Sequence, residues 1–231
     1  MRKSIISIAT IFFAFPAIAD PIQVVAFGDS LTQGYGLQVK DGFVPQLRAW
    51  ADAQGLEVAL SNAGVSGDTT AGGLSRVAWT LTPDVEAMIV TLGGNDVLRG
   101  IDPAVSRANL HGILNEARAA DVTVLLIGMK APGNFGPDYK AEFDGMYPEL
   151  AEEFNAVFLD SFFVGLGDAI NDPVALGSYM QGDAIHPNAD GVALIVQGVG
   201  PKLVELLERV SDCQKQKNGR AGVRSSIIIR L

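Results

Sequence analysis

Five apolar runs of strand length punctuate the chain: Ile22 to Phe27, Val58 to Ser61, Ala87 to Leu92, Val122 to Gly128 and Ala156 to Leu159. Between them, FVPQLRAWADAQ, GGLSRVAWTL, PAVSRANLHGILNEARAA and YKAEFDGMYPELAEEF repeat apolar positions every three or four residues, as helices with one buried face do. A helix between two strands carries the chain across the sheet, so neighbouring strands run parallel and helices cover both faces. The alternation therefore predicts a doubly wound α/β sandwich of flavodoxin-like type, built on a five-stranded parallel sheet. A last helix, roughly Ala189 to Glu208, closes the core. No internal repeat and no Ser- or Pro-rich linker divides the body, and 231 residues that are 48% hydrophobic suffice for one substantial core.

The two ends read differently from the body. MRKSIISIATIFFAFPAIAD has a basic start, an apolar stretch and an Ala17-Ile18-Ala19 motif, the pattern of a signal peptide cleaved after Ala19. Its apolar stretch is short for a bilayer span of about 20 residues. Residues 1–19 are thus expected to be a leader, residues 20–212 the folded domain and residues 213–231 a basic, disordered tail. Export, to the periplasm of a bacterium, follows from the leader, with no stable membrane insertion once it is removed. Residues 20–212 carry 10 basic and 26 acidic side chains, a net charge of −16, which argues against nucleic acid as a partner. A single cysteine, Cys213, excludes an internal disulfide, and with only two histidines the chain offers no zinc site; no metal is expected.

The first strand raises a question of chemistry, because its apolar run ends abruptly in Gly28-Asp29-Ser30. In doubly wound sheets, ligands bind in the crevice outside the carboxyl ends of the strands. Ser30 lies just past such an end, where its hydroxyl is placed as a nucleophile. A base has to come from another loop at the same edge. His111 falls inside a predicted amphipathic helix and is read as an ordinary helix residue, whereas His186 lies in QGDAIHPNADG, a loop leading into the last helix. Asp183, three residues earlier, is close enough to accept a hydrogen bond from Nδ1 while Nε2 faces Ser30, the logic of a serine, histidine, aspartate triad. Oxyanion donors are expected from the Ser30 backbone N–H, from Gly67 in SNAGVSGDTTAGGL and from the side chain of Asn95 in TLGGNDVLRG. The G-x-S-x-G nucleophile motif is not met: GVSGD, around Ser66, lacks the final glycine.

Four blocks, FGDSLTQGYG, NAGVSGDTTAGGL, LGGNDVLRG and DAIHPN, occur in one order along the chain and resemble the four blocks of the SGNH (GDSL) hydrolase family. The resemblance places its named residues at Ser30, Gly67, Asn95 and His186, with the triad acid at Asp183. SGDTTAGGL, GGNDVLRG, APGNFGPDY and YPELAEEF extend the likeness to the small secreted bacterial arylesterase, acyl-CoA thioesterase and lysophospholipase enzymes. What this implies is a flavodoxin-like fold, hydrolysis of esters and thioesters through an acyl-enzyme on Ser30, and no metal or organic cofactor. A monomer acting on a small-molecule or lipid acyl substrate is expected. Phe135 and Tyr139, in the loop after the fourth strand, are expected to wall the acyl site. A carbohydrate O-acetyl esterase of the same family and a non-catalytic flavodoxin-like binding module are the competing readings.

Overall fold

The computed structural model describes residues 20–228, with side chains through Lys217; the leader expected over residues 1–19 lies outside the described residues. Five strands, β1 (Ile22–Gly28), β2 (Val58–Gly64), β3 (Ala87–Thr91), β4 (Thr123–Ile127) and β5 (Val157–Leu159), pair in parallel in the order β2-β1-β3-β4-β5. Every residue of β3 and all but the first of β4 are buried, so these central strands read as unbroken apolar runs; β2, at an edge, is half exposed. The helices are α1 (Ser30–Gln33), α2 (Phe43–Ala53), α3 (Thr70–Thr80), α4 (Gly94–Leu98), α5 (Pro103–Ala119), α6 (Pro137–Glu153), α7 (Pro173–Gly177) and α8 (Ala189–Ile228). On one side α2 packs on α8; on the other, α5 lies between α3 and α6. This is the doubly wound, flavodoxin-like sandwich that the alternation predicts.

Local chemistry sets the helix starts. Asp102 accepts a hydrogen bond from Ala104 N at 2.8 Å, Pro103 takes the first position of α5, and Leu110, Ile113, Leu114 and Ala117 form its buried stripe. Asn188 caps α8, its Oδ1 accepting from Gly191 N at 3.0 Å. The far end of α8 departs from expectation: beyond Asp212, where the sequence suggests a disordered tail, the helix continues to Ile228. Gln and Lys in QKQK are good helix formers, and the first of these turns is tied to the body by Lys217 to Asp121 and Gln214 to Glu86. Among the described residues no helix is long and apolar enough to cross a membrane.

The topology also positions a crevice. From β1 the chain crosses to β2 on one side, and from β2 it passes back to β3 on the other, so the sheet's direction of winding changes between β1 and β3. At the crevice floor Gly28 is paired with Thr91. A Cβ on Gly28 would stand 2.6 Å from Thr91 O and 2.1 Å from Thr32 Oγ1, so only glycine lets the chain turn out of the sheet here.

Candidate active site

Ser30 is the first residue of α1 and only 8% exposed. Asp29 caps that helix, accepting from Leu31 N at 3.0 Å, and aims Ser30 across the crevice. The partner arrives from 156 residues away: His186 Nε2 is 2.9 Å from Ser30 Oγ, and His186 Nδ1 is 2.7 Å from Asp183 Oδ2. The three side chains expected to meet are therefore in one hydrogen-bonded line.

Asp183 and His186 share a single turn. Oδ1 of Asp183 accepts from the backbone N–H of both Ile185 and His186, each at 3.0 Å. These bonds hold Ala184 at a φ of +56°, a left-handed conformation that costs a non-glycine residue roughly 1 kcal/mol. The hydrogen bond from the His186 ring, then those two N–H groups, keep the Asp183 carboxyl well below the usual carboxylate range. The acid thus stays ionised, which favours the tautomer with its proton on Nδ1 and leaves Nε2 to accept from Ser30 Oγ. Gln181 docks the turn on the nucleophile's own loop: its N–H donates to His186 O at 2.7 Å and its Nε2 to Tyr35 O at 2.8 Å. The Tyr35 ring lies 4.8 Å from the imidazole.

Ser30, Gly67 and Asn95, from which oxyanion donors are expected, all line one cleft. Ser30 N is an orphan donor of a helix start. Gly67 stands at a φ of +83°, a conformation suited to glycine, and no acceptor is bonded to its N–H among the described residues. Asn95 Nδ2 is 2.9 Å from Asp68 O and 3.3 Å from Asp29 Oδ2, so the bond to Asp29 is the longer and weaker of the two.

The supporting residues were not visible in the sequence. Asp96, fully buried, accepts from Thr70 N at 2.9 Å, Thr70 Oγ1 at 2.6 Å and Ser106 Oγ at 2.9 Å, which joins α4, the helix carrying Asn95, to α3, the helix that follows Gly67. Arg76 bonds Asp68 Oδ2 at 2.6 Å and the carbonyls of Gly28 and Ala63 at 2.9 Å, and lies 4.0 Å over the Phe27 ring. No local pattern marks these residues as partners before the chain is folded.

Asp29 is the other unexpected feature. Burial outweighs its bonds from Leu31 N and Asn95 and pushes its pKa up to about 6. The folded protein therefore holds a proton here that the unfolded chain has already released, and stability present at low pH is lost as pH rises through 6. Across roughly two pKa units the loss is on the order of 3 kcal/mol. Urea unfolding at pH 4.5 and 8 should show the wild type losing more stability than Asp29→Asn by about 2 kcal/mol, the first part of the loss having occurred below pH 4.5; equal losses in the two proteins would contradict the assignment.

A cleft of about 410 Å³ opens on Ser30 and His186. Leu31, Val97, Met129, Pro132, Phe163 and Ile185 give it apolar walls, and Leu98 stands at its mouth, 60% exposed. Phe135 and Tyr139, expected to wall the acyl site, are not among its lining residues. Their rings pack on each other at 5.0 Å, Phe135 covers Gly100, and Tyr139 donates to Ile101 O at 2.9 Å and stacks on Phe143. The hydroxyl finds its partner in the backbone, which draws the pair away from the crevice. His111 is an ordinary helix residue, as expected, bonded to Glu153 at 3.0 Å and to Asn115 at 2.9 Å. Among the described residues no cluster of His, Cys, Asp and Glu is arranged to hold a metal.

Comparison with known proteins gives one answer. The model of the GDSL-like lipase/acylhydrolase family matches residues 26–194. Esterase TesA of Pseudomonas aeruginosa is 34% identical over 90% of this chain and all of its own length. Thioesterase 1/protease 1/lysophospholipase L1 of Escherichia coli is 32% identical over 84% of this chain and 88% of its own. Among solved structures, AlinE4, described as an SGNH-hydrolase family esterase, is 41% identical with a TM-score of 0.67, over 82% of this chain and 98% of its own.

Proposed function

The chain belongs to the GDSL-like lipase/acylhydrolase family and is an ester-bond hydrolase, and from that premise we propose that it is an exported serine esterase and thioesterase acting through an acyl-enzyme on Ser30. The observation that carries this reading is the unbroken line of Ser30 Oγ, His186 and Asp183 at 2.9 and 2.7 Å, opening on an apolar cleft.

The reaction follows from those atoms. Ser30 Oγ attacks the acyl carbon as its proton passes to His186 Nε2, and the imidazolium is stabilised by the ionised Asp183. The carbonyl oxygen, now negative, is met by the N–H groups of Ser30 and Gly67 and by Asn95, which exchanges its long bond to Asp29 for the stronger one. Collapse breaks the bond to the leaving alkoxide or thiolate, which takes the proton from Nε2. Water then repeats the sequence on the acyl-enzyme, with His186 again as base, and the acid leaves.

The apolar lining supports acyl chains longer than acetyl over the carbohydrate O-acetyl esterase, whose substrate is a polar sugar. Names among the relatives, esterase, thioesterase and lysophospholipase, support breadth in the leaving group. The leader over residues 1–19 supports export to the periplasm, and the mature enzyme acts as a monomer. The test is hydrolysis of p-nitrophenyl esters from acetyl to palmitoyl with an acyl-CoA alongside, together with labelling by a fluorophosphonate. Rates that rise beyond acetyl are expected. Activity confined to acetyl points to the deacetylase, and absence of labelling to a binding module.

The cleft lining gives a further expected outcome. Phe135→Ala should leave the acyl-length profile unchanged, whereas Leu98→Ala should shift it, since removing a large apolar side chain at a binding surface alters affinity by about 1–3 kcal/mol. A changed profile in Phe135→Ala alone would return that residue to the acyl site.

A further inference from the structure

We propose that Arg99 is a positioning residue of the oxyanion hole, holding Gly67 in place and setting a positive charge beside the developing oxyanion. The inference rests on the reading of Gly67 N–H as an oxyanion donor. Arg99 follows α4 directly, and its own N–H donates to Asn95 O and Asp96 O at 3.2 Å each, so its backbone is locked to the element that carries Asn95. Its side chain crosses to the other donor loop, where Nη2 donates to Gly67 O at 2.9 Å.

Glycine has the most conformational freedom of any residue, so a glycine that must present its N–H in one direction needs ties from outside. The neighbouring ties all act one residue later: Asn95 holds Asp68 O at 2.9 Å, and Arg76 holds the Asp68 carboxylate at 2.6 Å. Among the described residues, Arg99 supplies the side-chain bond to Gly67 itself.

Charge points the same way. Two cations on neighbouring loops are neutralised, Arg76 by Asp68 and Lys130 by Asp160, each at 2.6 Å. Arg99 makes no ion pair among the described residues, and its Nη2 lies 3.9 Å from where a Cβ of Gly67 would be. In a domain of net charge −16, a negative charge developing in the cleft is disfavoured by its surroundings, and an uncompensated guanidinium beside one of the donors counters that field.

Exposure makes the test clean, since an exposed arginine can be replaced without opening the core. Arg99→Met, which loses both the bond and the charge, is expected to lower kcat for p-nitrophenyl butyrate about tenfold with KM within about twofold. The rate of inactivation by a fluorophosphonate should fall in parallel, because it passes through the same oxyanion geometry. Arg99→Lys, which keeps the charge and a donor, should recover most of the loss, and the thermal midpoint should be unchanged in both. Unchanged kcat and inactivation rate in Arg99→Met overturn the inference, as does a fall accompanied by a lowered midpoint and no recovery with lysine. A wild-type protein that is not labelled overturns the serine-hydrolase reading itself, whereas a reactive wild type beside an unaffected Arg99→Met overturns only the role of Arg99.

Discussion

Ser30→Ala is expected to lower kcat for p-nitrophenyl esters by a factor on the order of 10⁴ to 10⁶ while leaving the fold intact. Among the described residues the hydroxyl has one side-chain partner, His186 Nε2, and alanine is a good helix former at the position that starts α1. Circular dichroism and the thermal midpoint should therefore match the wild type, and fluorophosphonate labelling should vanish. Such a loss with an intact fold identifies the nucleophile, because the oxyanion donors and the cleft remain. Retention of activity within tenfold would place the nucleophile elsewhere, and Ser66, which also lines the cleft, would be the next residue to replace.

The second largest effect is expected at Asn95. Asn95→Ala removes one of the proposed oxyanion donors and should cost a factor of about 10² to 10³ in kcat, or roughly 3–4 kcal/mol of transition-state stabilisation, with a small change in KM. The same substitution leaves Asp68 O without its 2.9 Å bond, so the neighbouring loop also loses a tie. A KM effect larger than the kcat effect would mean that Asn95 binds the substrate in its ground state rather than the oxyanion.

How much of this was legible in the sequence depends on how far apart the interacting residues lie. The strands were readable because burial on both faces leaves β3 and β4 as plain apolar runs, and the helices because one buried stripe imposes a period. The edge strand β2 was read short: it ends at Gly64 rather than Ser61, because its last residues pair with β1 through backbone bonds that their side chains do not advertise. That α8 runs on past Asp212 was hidden for a related reason. Its side chains have weak periodicity, yet Lys217 and Gln214 find acceptors on Asp121 and Glu86, which only the folded chain brings near.

At the site, the hydrogen-bonded line of Ser30, His186 and Asp183 was legible because the two histidines have contrasting surroundings, and because Asp183 and His186 are sequence neighbours. Asp96, Thr70 and Ser106 were not, since a buried carboxylate and its three donors look like ordinary polar residues until they meet. Phe135 and Tyr139 show the opposite error. Their loop was placed at the correct edge of the sheet, but the direction of the rings is decided by one hydrogen bond, Tyr139 Oη to Ile101 O, that no local pattern encodes.

The turn from Asp183 to His186 has a consequence for how such enzymes can be recombined. Because acid and base share one turn with its own backbone bonds, both are inherited together, and a crossover anywhere between β5 and Gln181 transfers them as a cassette. A chimera made there has to satisfy His186 to Ser30 and Gln181 to Tyr35, and also the packing of α8 on α2, β4 and β5. Shuffling between relatives can therefore move Asp183 and His186 as one unit, provided that the body receiving them keeps the surfaces on which α8 packs.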